Sequence, residues 1–395
     1  MSRRVLISGA SIAGPALAFW LTRYGMTPTV VERFPRLRPG GQTVDLRGAG
    51  HTIVQRMGLE GEVRKRLTGE RGVRFIGGDG RVKASLGADS FGGAGFVIDL
   101  ELLRGELSEV LYDSTREDTE YLFGDEITSL DDTGDRVQVS FRNGPDREFD
   151  LVVLADGLRS RTRELVFADT TRIRSFGLYT AYFTIPRAES DSDWARWYNA
   201  SLGRTVGLRP DNLGTTRALL SIVSKPRGCE KLTTPEQKRL LRRLFAGAGW
   251  ETDRVLSGMD TAEDFYFEAI GQVRVDQWSR GRVALLGDAG YCASPISGMG
   301  TSLALVGAYV LAGELSRLHD HHAAFRSYET IMRPYVTQAQ GVSSFAPRIA
   351  APRSTAGIRL LHTALGLAAS PAASSLFSRF VVPPADKIDL PDYAA

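Results

Sequence analysis

The sequence predicts an α/β fold: a Rossmann-like dinucleotide-binding domain, a mainly β module inserted into it, and a helical C-terminal tail. Three stretches carry that prediction. An apolar strand over 5–8 runs into Gly9-Ala-Ser-Ile-Ala-Gly14 and then a helix. Far downstream, an apolar strand over 283–287 ends in Gly287-Asp288, and Pro295 and Gly298-Met299-Gly300 then open a long apolar helix. Between them, residues 173–271 are rich in aromatic and β-branched side chains, as strands packed on a core are.

In chain order, the strand 5–8, a helix over 15–24 and a strand over 29–32 make a βαβ unit. Residues 48–57 read as helical, and short segments parted by glycines over 73–95 read as hairpin strands. Asp99 is placed to cap a helix running through Leu103, Arg104 and Leu107 to Tyr112. Strands follow at 137–141 and 151–154, the second apolar throughout, as a central parallel strand should be. The inserted module has strands at 176–185, 216–223 and 264–270, and Thr234-Pro235-Glu236 starts a helix. A helix from 300 to about 315 precedes a helical tail, bent or broken near Pro334. The division is therefore 1–72, 96–172 and 272–333 for the dinucleotide domain, 73–95 and 173–271 for the inserted module, and 334–395 for the helical region.

Composition narrows the classes. At 395 residues and 43% hydrophobic, the chain can bury a large core in two or three domains. A net charge of +3, from 49 basic and 46 acidic residues without a basic run, argues against nucleic acid. Cys229 and Cys292 are too few for a disulfide framework, which points to a reducing, cytoplasmic setting; Cys292 reads as a small buried residue. The N-terminal apolar stretch carries glycines at fingerprint spacing and continues into a second strand, so it reads as neither signal peptide nor anchor. Residues 356–383 are apolar, but Arg359, His362, Pro371 and Arg379 interrupt them, which favours a packed tail over a membrane span. The five histidines lie on apparent surface helices or in the tail. No metal site is expected.

The chemistry sits at the two ends. Gly9 makes the tight turn of a dinucleotide fingerprint, and Gly14 allows close helix–strand packing. Ser11 replaces the middle glycine, and its hydroxyl can serve in place of close backbone approach. Glu32 lies 23 residues after Gly9, placed for ribose hydroxyls. The strand 151–154 ends in Asp156-Gly157, with Ser160 and Arg163 just beyond, suited to the dinucleotide and its phosphates. At the other end, Asp288 would bond a ribityl chain, and Gly298 to Ser302 would aim N–H groups at the pyrimidine side of an isoalloxazine, where reduced flavin carries negative charge. One dinucleotide held at both ends, its reactive end an electron acceptor, means a flavoenzyme.

On these motifs the chain resembles a class A, single-component FAD-dependent monooxygenase of the para-hydroxybenzoate hydroxylase family. The fingerprint, the Asp156-Gly157 segment and the Gly287-Asp288 segment follow that family's order and spacing over residues 3–340. Within it the chain is most similar to the tetracycline-inactivating monooxygenases. It shares with them Gly40-Gly-Gln-Thr-Val-Asp-Leu-Arg47, a helix ending Met57-Gly58-Leu59, and Leu103-Arg104. The resemblance implies FAD in a Rossmann-like FAD-binding domain. Its binding residues are then Gly9, Ser11, Ile12, Ala13, Gly14, Glu32, Arg33, Asp45, Arg47, Arg104, Asp156, Asp288, Pro295, Gly298, Met299, Gly300 and Thr301. Arg104 would meet the FAD phosphate or ribityl region, Asp45 the flavin ring, and Arg47 the cofactor or substrate. Two departures stand out: Tyr291 where the family often has histidine, and Met299 where it often has glutamine.

The absence of a second glycine-rich fingerprint suits a family in which NAD(P)H visits transiently. The implied reaction is that reduced FAD and dioxygen form a flavin hydroperoxide, which delivers one oxygen atom to an electron-rich substrate. No general base is nominated. The substrate, an aromatic or polycyclic small molecule such as a phenol, polyketide or antibiotic, would lie between the β module and the flavin edge. Phe176, Tyr179, Tyr182, Phe183, Trp194, Trp197, Tyr198, Phe265 and Phe267 divide between that pocket and the module's own core. The protein is expected to be a monomer or homodimer. Other readings are an oxidase or halogenase on the same fold, or a non-catalytic homologue that sequesters ligand; Trp194-Ala-Arg-Trp197 departs from the Trp-x-Trp-x-Ile-Pro run of halogenases.

Overall fold

The computed structural model describes residues 2–38, 41–87, 100–369 and 388–393. A six-stranded sheet forms the frame, in the order Ser279–Arg280, Val283–Leu285, Leu151–Leu154, Arg4–Ser8, Thr27–Glu32, Glu120–Phe123. All its pairings are parallel except at the Ser279–Arg280 edge. Leu151–Leu154 is buried at every position: it lies inside the sheet, between Val283–Leu285 and Arg4–Ser8, and shares a core with Val137, Val139 and Phe149 of a small antiparallel sheet, so no side of the strand meets water. The helices Ala13–Arg23 and Gly300–Arg317 pack together on this sheet. In the latter every residue from Thr301 to Leu315 is buried, which explains why its sequence is apolar all round rather than striped.

The second sheet has seven strands, in the order Tyr266–Val275, Thr171–Pro186, Thr215–Val223, Arg204–Pro210, Ala195–Ala200, Gly72–Ile76, Val82–Gly87. Strand alternation gives its two faces different chemistry. Tyr179, Phe183, Tyr198, Leu220 and Phe267 form an apolar core with Leu241, Phe245 and Met259 from the helices Thr234–Phe245 and Thr252–Thr261. The register sets Thr180 opposite both Glu268 and Ser221, and Tyr182 opposite Tyr266. These side chains share the other face, which looks toward the dinucleotide domain. Of the aromatics singled out above, Tyr182 and Trp197 belong to this face, whereas Tyr179, Phe183, Tyr198 and Phe267 belong to the core.

A buried ionic knot ties the seven-stranded sheet to a separate two-stranded one. Arg209 donates to both oxygens of Glu70 at 2.9 Å, to Glu101 at 2.6 Å, and to the Thr43 hydroxyl. Glu101 lies on Glu101–Leu103, a short strand paired antiparallel with Thr43–Asp45. Burial, with the charges of Glu70 and Asp45, raises the Glu101 carboxyl to about 8 against the pull of Arg209.

The structure corrects several expectations. The helix expected from Asp99 begins only at Arg104, because Glu101–Leu103 is taken up in that strand pair; Asp99 lies outside the described residues. The helix His321–Ala339 runs unbroken through Pro334. Ala195–Ala200 and Arg204–Pro210 are strands that the sequence reading passed over. His362, expected on a surface or in the tail, is only 7% exposed, its ring 6.3 Å from Phe75. Cys292 is buried, as expected, and its thiol is pushed up by desolvation. Among the described residues no helix is long and apolar enough to cross a membrane, and no group of three or more His, Cys, Asp or Glu is placed for a metal. The apolar stretch over 356–383 falls partly outside the described residues; its first part forms the helix Thr355–Ala368 against Val82–Gly87.

Candidate cofactor and substrate site

The fingerprint turn is built on contacts that exclude side chains. Gly9 sits at φ +107°, and a Cβ there would stand 2.7 Å from the Ala155 carbonyl oxygen. A Cβ on Gly14 would stand 1.9 Å from the Gly9 carbonyl oxygen. Ile12 and Ala13 are buried at the start of the helix Ala13–Arg23, which has no side-chain cap, so its first amides have no intrahelical acceptor. Glu32 closes the neighbouring strand, its two oxygens accepting from Ala10 N at 2.9 Å and Phe34 N at 3.1 Å. Each oxygen keeps lone pairs for further donors. Arg33 is exposed and stacks on Phe34 at 5.0 Å.

Ser11 explains its own departure from a three-glycine fingerprint. Its hydroxyl accepts from Arg104 Nη1 at 2.9 Å, so it aims an arginine where a glycine would only make room. Gly41 gives that arginine space: a Cβ there would lie 2.8 Å from Arg104 Nε. No carboxylate of a described residue comes within ion-pair distance of Arg104. Desolvation first, and then Arg38, pull its guanidinium down to about 10. Glu268 and Glu32 act on it only from a distance, so a cation held this way without a direct ion pair among the described residues is matched to a phosphate.

Asp45 is paired with Arg47 at 2.8 Å, and the Arg47 carbonyl accepts from Ser302 Oγ at 3.1 Å, tying that loop to the Gly300–Arg317 helix. Gly40, which opens this motif, lies outside the described residues. Asp156 is turned onto its own loop, accepting from Ser160 Oγ at 2.5 Å and Thr162 Oγ1 at 2.8 Å. Its backbone remains beside Gly9, where a Cβ would come within 2.9 Å of the Asp156 Cα. Arg163 is buried and donates to the Ala289 carbonyl at 2.8 Å, joining the Asp156-Gly157 crossing to the Gly287-Asp288 crossing.

At that second crossing Gly287 takes φ +61°, and Asp288 presents an exposed side chain although Ala289, Gly290 and Tyr291 beside it are buried. Burial of its surroundings raises the Asp288 carboxyl above the usual range. Ser294 holds φ +83°, a conformation costly for a non-glycine residue. It is fixed there by bonds from Ile296 N to its hydroxyl and from Ser297 N to its carbonyl. Pro295–Ser297 forms one 3-10 turn, Gly298 takes φ +64°, and the 18-residue helix then starts at Gly300 behind Met299 without a side-chain cap. Pro295 is exposed, whereas Met299 and Thr301 are buried. Tyr291 points into the core, its hydroxyl 2.8 Å from that of Tyr328.

One residue here escaped the sequence reading. Glu268, on the Tyr266–Val275 strand, is 7% exposed, and one of its oxygens accepts from the Tyr266 hydroxyl at 3.1 Å. Burial pushes its carboxyl up to about 7, and it feels the charges of Asp288, Arg104 and Arg159. Asp288, Arg104 and Arg159 therefore approach Glu268 from the side of the dinucleotide domain. The strand was legible, but a single carboxyl in it carries no local signal of burial.

The site fits a dinucleotide: a glycine cradle, an arginine without a counter-charge, and a second uncapped helix start beside an exposed carboxylate. Comparisons with known proteins agree. A family model described as FAD binding domain matches residues 2–342. A flavin-dependent monooxygenase from an unknown prokaryotic organism is 40% identical over 346 residues, covering 86% of this chain and 89% of the relative. Among solved structures, tetracycline destructase Tet(51) is similar with a TM-score of 0.84 and 31% identity, covering 100% of both chains. Tetracycline destructase Tet(55) gives a TM-score of 0.83 and 34% identity, covering 99% of both.

Proposed function

We propose, because the chain belongs to the FAD binding domain family and is a flavin-dependent monooxygenase, that it inserts one oxygen atom of dioxygen into an aromatic or polycyclic small molecule, with NAD(P)H as electron donor. The observation that carries this reading is Arg104, oriented by Ser11 and without a direct carboxylate partner among the described residues, together with an uncapped helix start at Gly300. When bound, FAD supplies the redox chemistry, taking electrons from the nicotinamide and passing oxygen to the substrate.

The chain's own residues bind and orient. Gly9 and Gly14 shape the turn that would bring the first amides of the helix Ala13–Arg23 to the diphosphate, with Arg104 as its counter-charge and Glu32 as acceptor for ribose hydroxyls. Asp288 would accept from the ribityl hydroxyls, and the first amides of the helix from Gly300 would supply fixed dipoles that stabilise negative charge on the reduced flavin. Asp45 and Arg47 close the flavin side as an ion pair. Residues 1–72, 96–172 and 272–333 thus hold the cofactor, and 73–95 with 173–271 hold the substrate. The similarity to the tetracycline destructases supports a polycyclic substrate. The test is a screen of aromatic and polycyclic compounds for stimulated NAD(P)H consumption, with product mass measured. A compound that accelerates consumption and leaves with one added oxygen atom is the expected result. A yellow protein for which no compound in the screen does so refutes the reading.

A further inference from the structure

The substrate-side face of the seven-stranded sheet carries neutral hydroxyl groups, Thr180, Tyr182, Ser221 and Tyr266, and one carboxyl group, Glu268. Thr180 and Ser221 satisfy each other, their hydroxyl oxygens 2.9 Å apart. Glu268 is different. It is buried, makes one hydrogen bond, from Tyr266, and has no ion-pair partner among the described residues. A carboxylate held by a single neutral donor has unused acceptor capacity, and neither Glu268 oxygen is both sealed from solvent and unpartnered, so that capacity is open to a ligand donor. The charged and titratable groups facing it are Tyr266 on its own strand, Arg159 from the Asp156-Gly157 loop, Arg104 from the helix behind the fingerprint, and Asp288 and Cys292 from the crossing below. Tyr182 faces it from the adjacent strand. The position is therefore bounded by the sheet on one side and by the cofactor-side residues on the other.

We infer that Glu268 is the substrate's proton acceptor, taking the hydroxyl proton of a phenolic or enolic substrate. This rests on the aromatic-substrate reading above and adds a catalytic residue to it. The substrate O–H bond breaks, its proton passes to a Glu268 carboxylate oxygen, and the electron pair stays on the substrate oxygen. The ring becomes more electron-rich, as acceptance of an electrophilic oxygen requires. Tyr266, donating to the same carboxylate, steadies the ionised form. A carboxyl titrating near 7 can take up and release that proton around neutral pH.

The experiment uses FAD-loaded enzyme and three probe pairs: phenol, 2-naphthol and 9-phenanthrol, each against its O-methyl ether. Binding is read from perturbation of the visible flavin spectrum, in wild type, Glu268→Gln and Tyr266→Phe. Wild type should bind at least one phenol about tenfold more tightly than its ether. Glu268→Gln should erase that preference while keeping its flavin, and should remove the pH dependence of phenol binding near neutrality. Tyr266→Phe should shift that dependence upward. Probes that bind while Glu268→Gln retains the full preference overturn the role of Glu268 alone. Loss of flavin in Glu268→Gln also overturns it, by making Glu268 a cofactor ligand. If no probe binds wild type, both the inference and the aromatic reading beneath it fail.

Discussion

At the scale of single residues, the site is built from polar groups whose partners are incomplete. Asp288 stands exposed among buried neighbours, and the Arg104 guanidinium has no direct carboxylate partner among the described residues and donates to the Ser11 hydroxyl. Replacing Asp288 with alanine should weaken FAD binding by about tenfold or more, the worth of a hydrogen bond to a charged group. Glu32→Ala should cost only about a few-fold, since its two oxygens already accept from Ala10 N and Phe34 N and have less capacity left for ribose hydroxyls. Flavin retention after gel filtration, with fluorescence titration of the stripped protein, measures both; undiminished flavin in Asp288→Ala would remove it from the site. The glycines and Glu32 were legible because their roles follow from local spacing. Glu268 was not, because whether a strand carboxyl is buried depends on which face its register assigns and on what packs there. The inward turn of Asp156 was equally hidden, since Ser160 and Thr162 compete for it only after the loop has folded.

At the scale of elements, local chemistry set the boundaries well where it was strong. Thr233 and Glu236 form a complete capping box ahead of Thr234–Phe245, and the sequence placed that start at Thr234. Thr233→Ala should destabilise the protein by about 1 kcal/mol, seen as a lower urea midpoint with unchanged slope; an unchanged midpoint would show that tertiary packing alone holds the helix. Where tertiary contacts override local preference, the reading failed. Pro334 stays inside a helix whose Tyr328, Met332, Tyr335 and Val336 are buried, so packing outweighs one missing N–H. Ala195–Ala200 pairs in parallel with Gly72–Ile76, a partner more than a hundred residues away that no local pattern announces.

At the scale of the whole molecule, Arg209 joins the substrate sheet to the strand pair bearing Asp45. Arg209→Met would leave Glu70 and Glu101 buried together without their cation, a loss of about 3–5 kcal/mol. The sign of its pH dependence follows from Glu101. Its folded value of about 8 lies above the unfolded carboxylate value, so the folded state holds the extra proton, and stability from this group is lost as pH rises toward 8. Without Arg209 that loss steepens. Urea unfolding should therefore show a larger deficit relative to wild type at pH 8 than at pH 5.5, and an equal deficit at both would contradict the shared-proton picture. The dinucleotide-binding frame was legible from two glycine-bearing crossings, but this knot joins residues from four distant segments. The two-sided sheet has a last consequence. Its apolar side packs on two helices and its hydroxyl-bearing side turns toward the dinucleotide domain, with alternate residues of the same strands serving each. A substitution at Thr180 or Tyr182 therefore changes the surface between the two domains while the helix-packed core, one residue away along the strand, keeps its contacts.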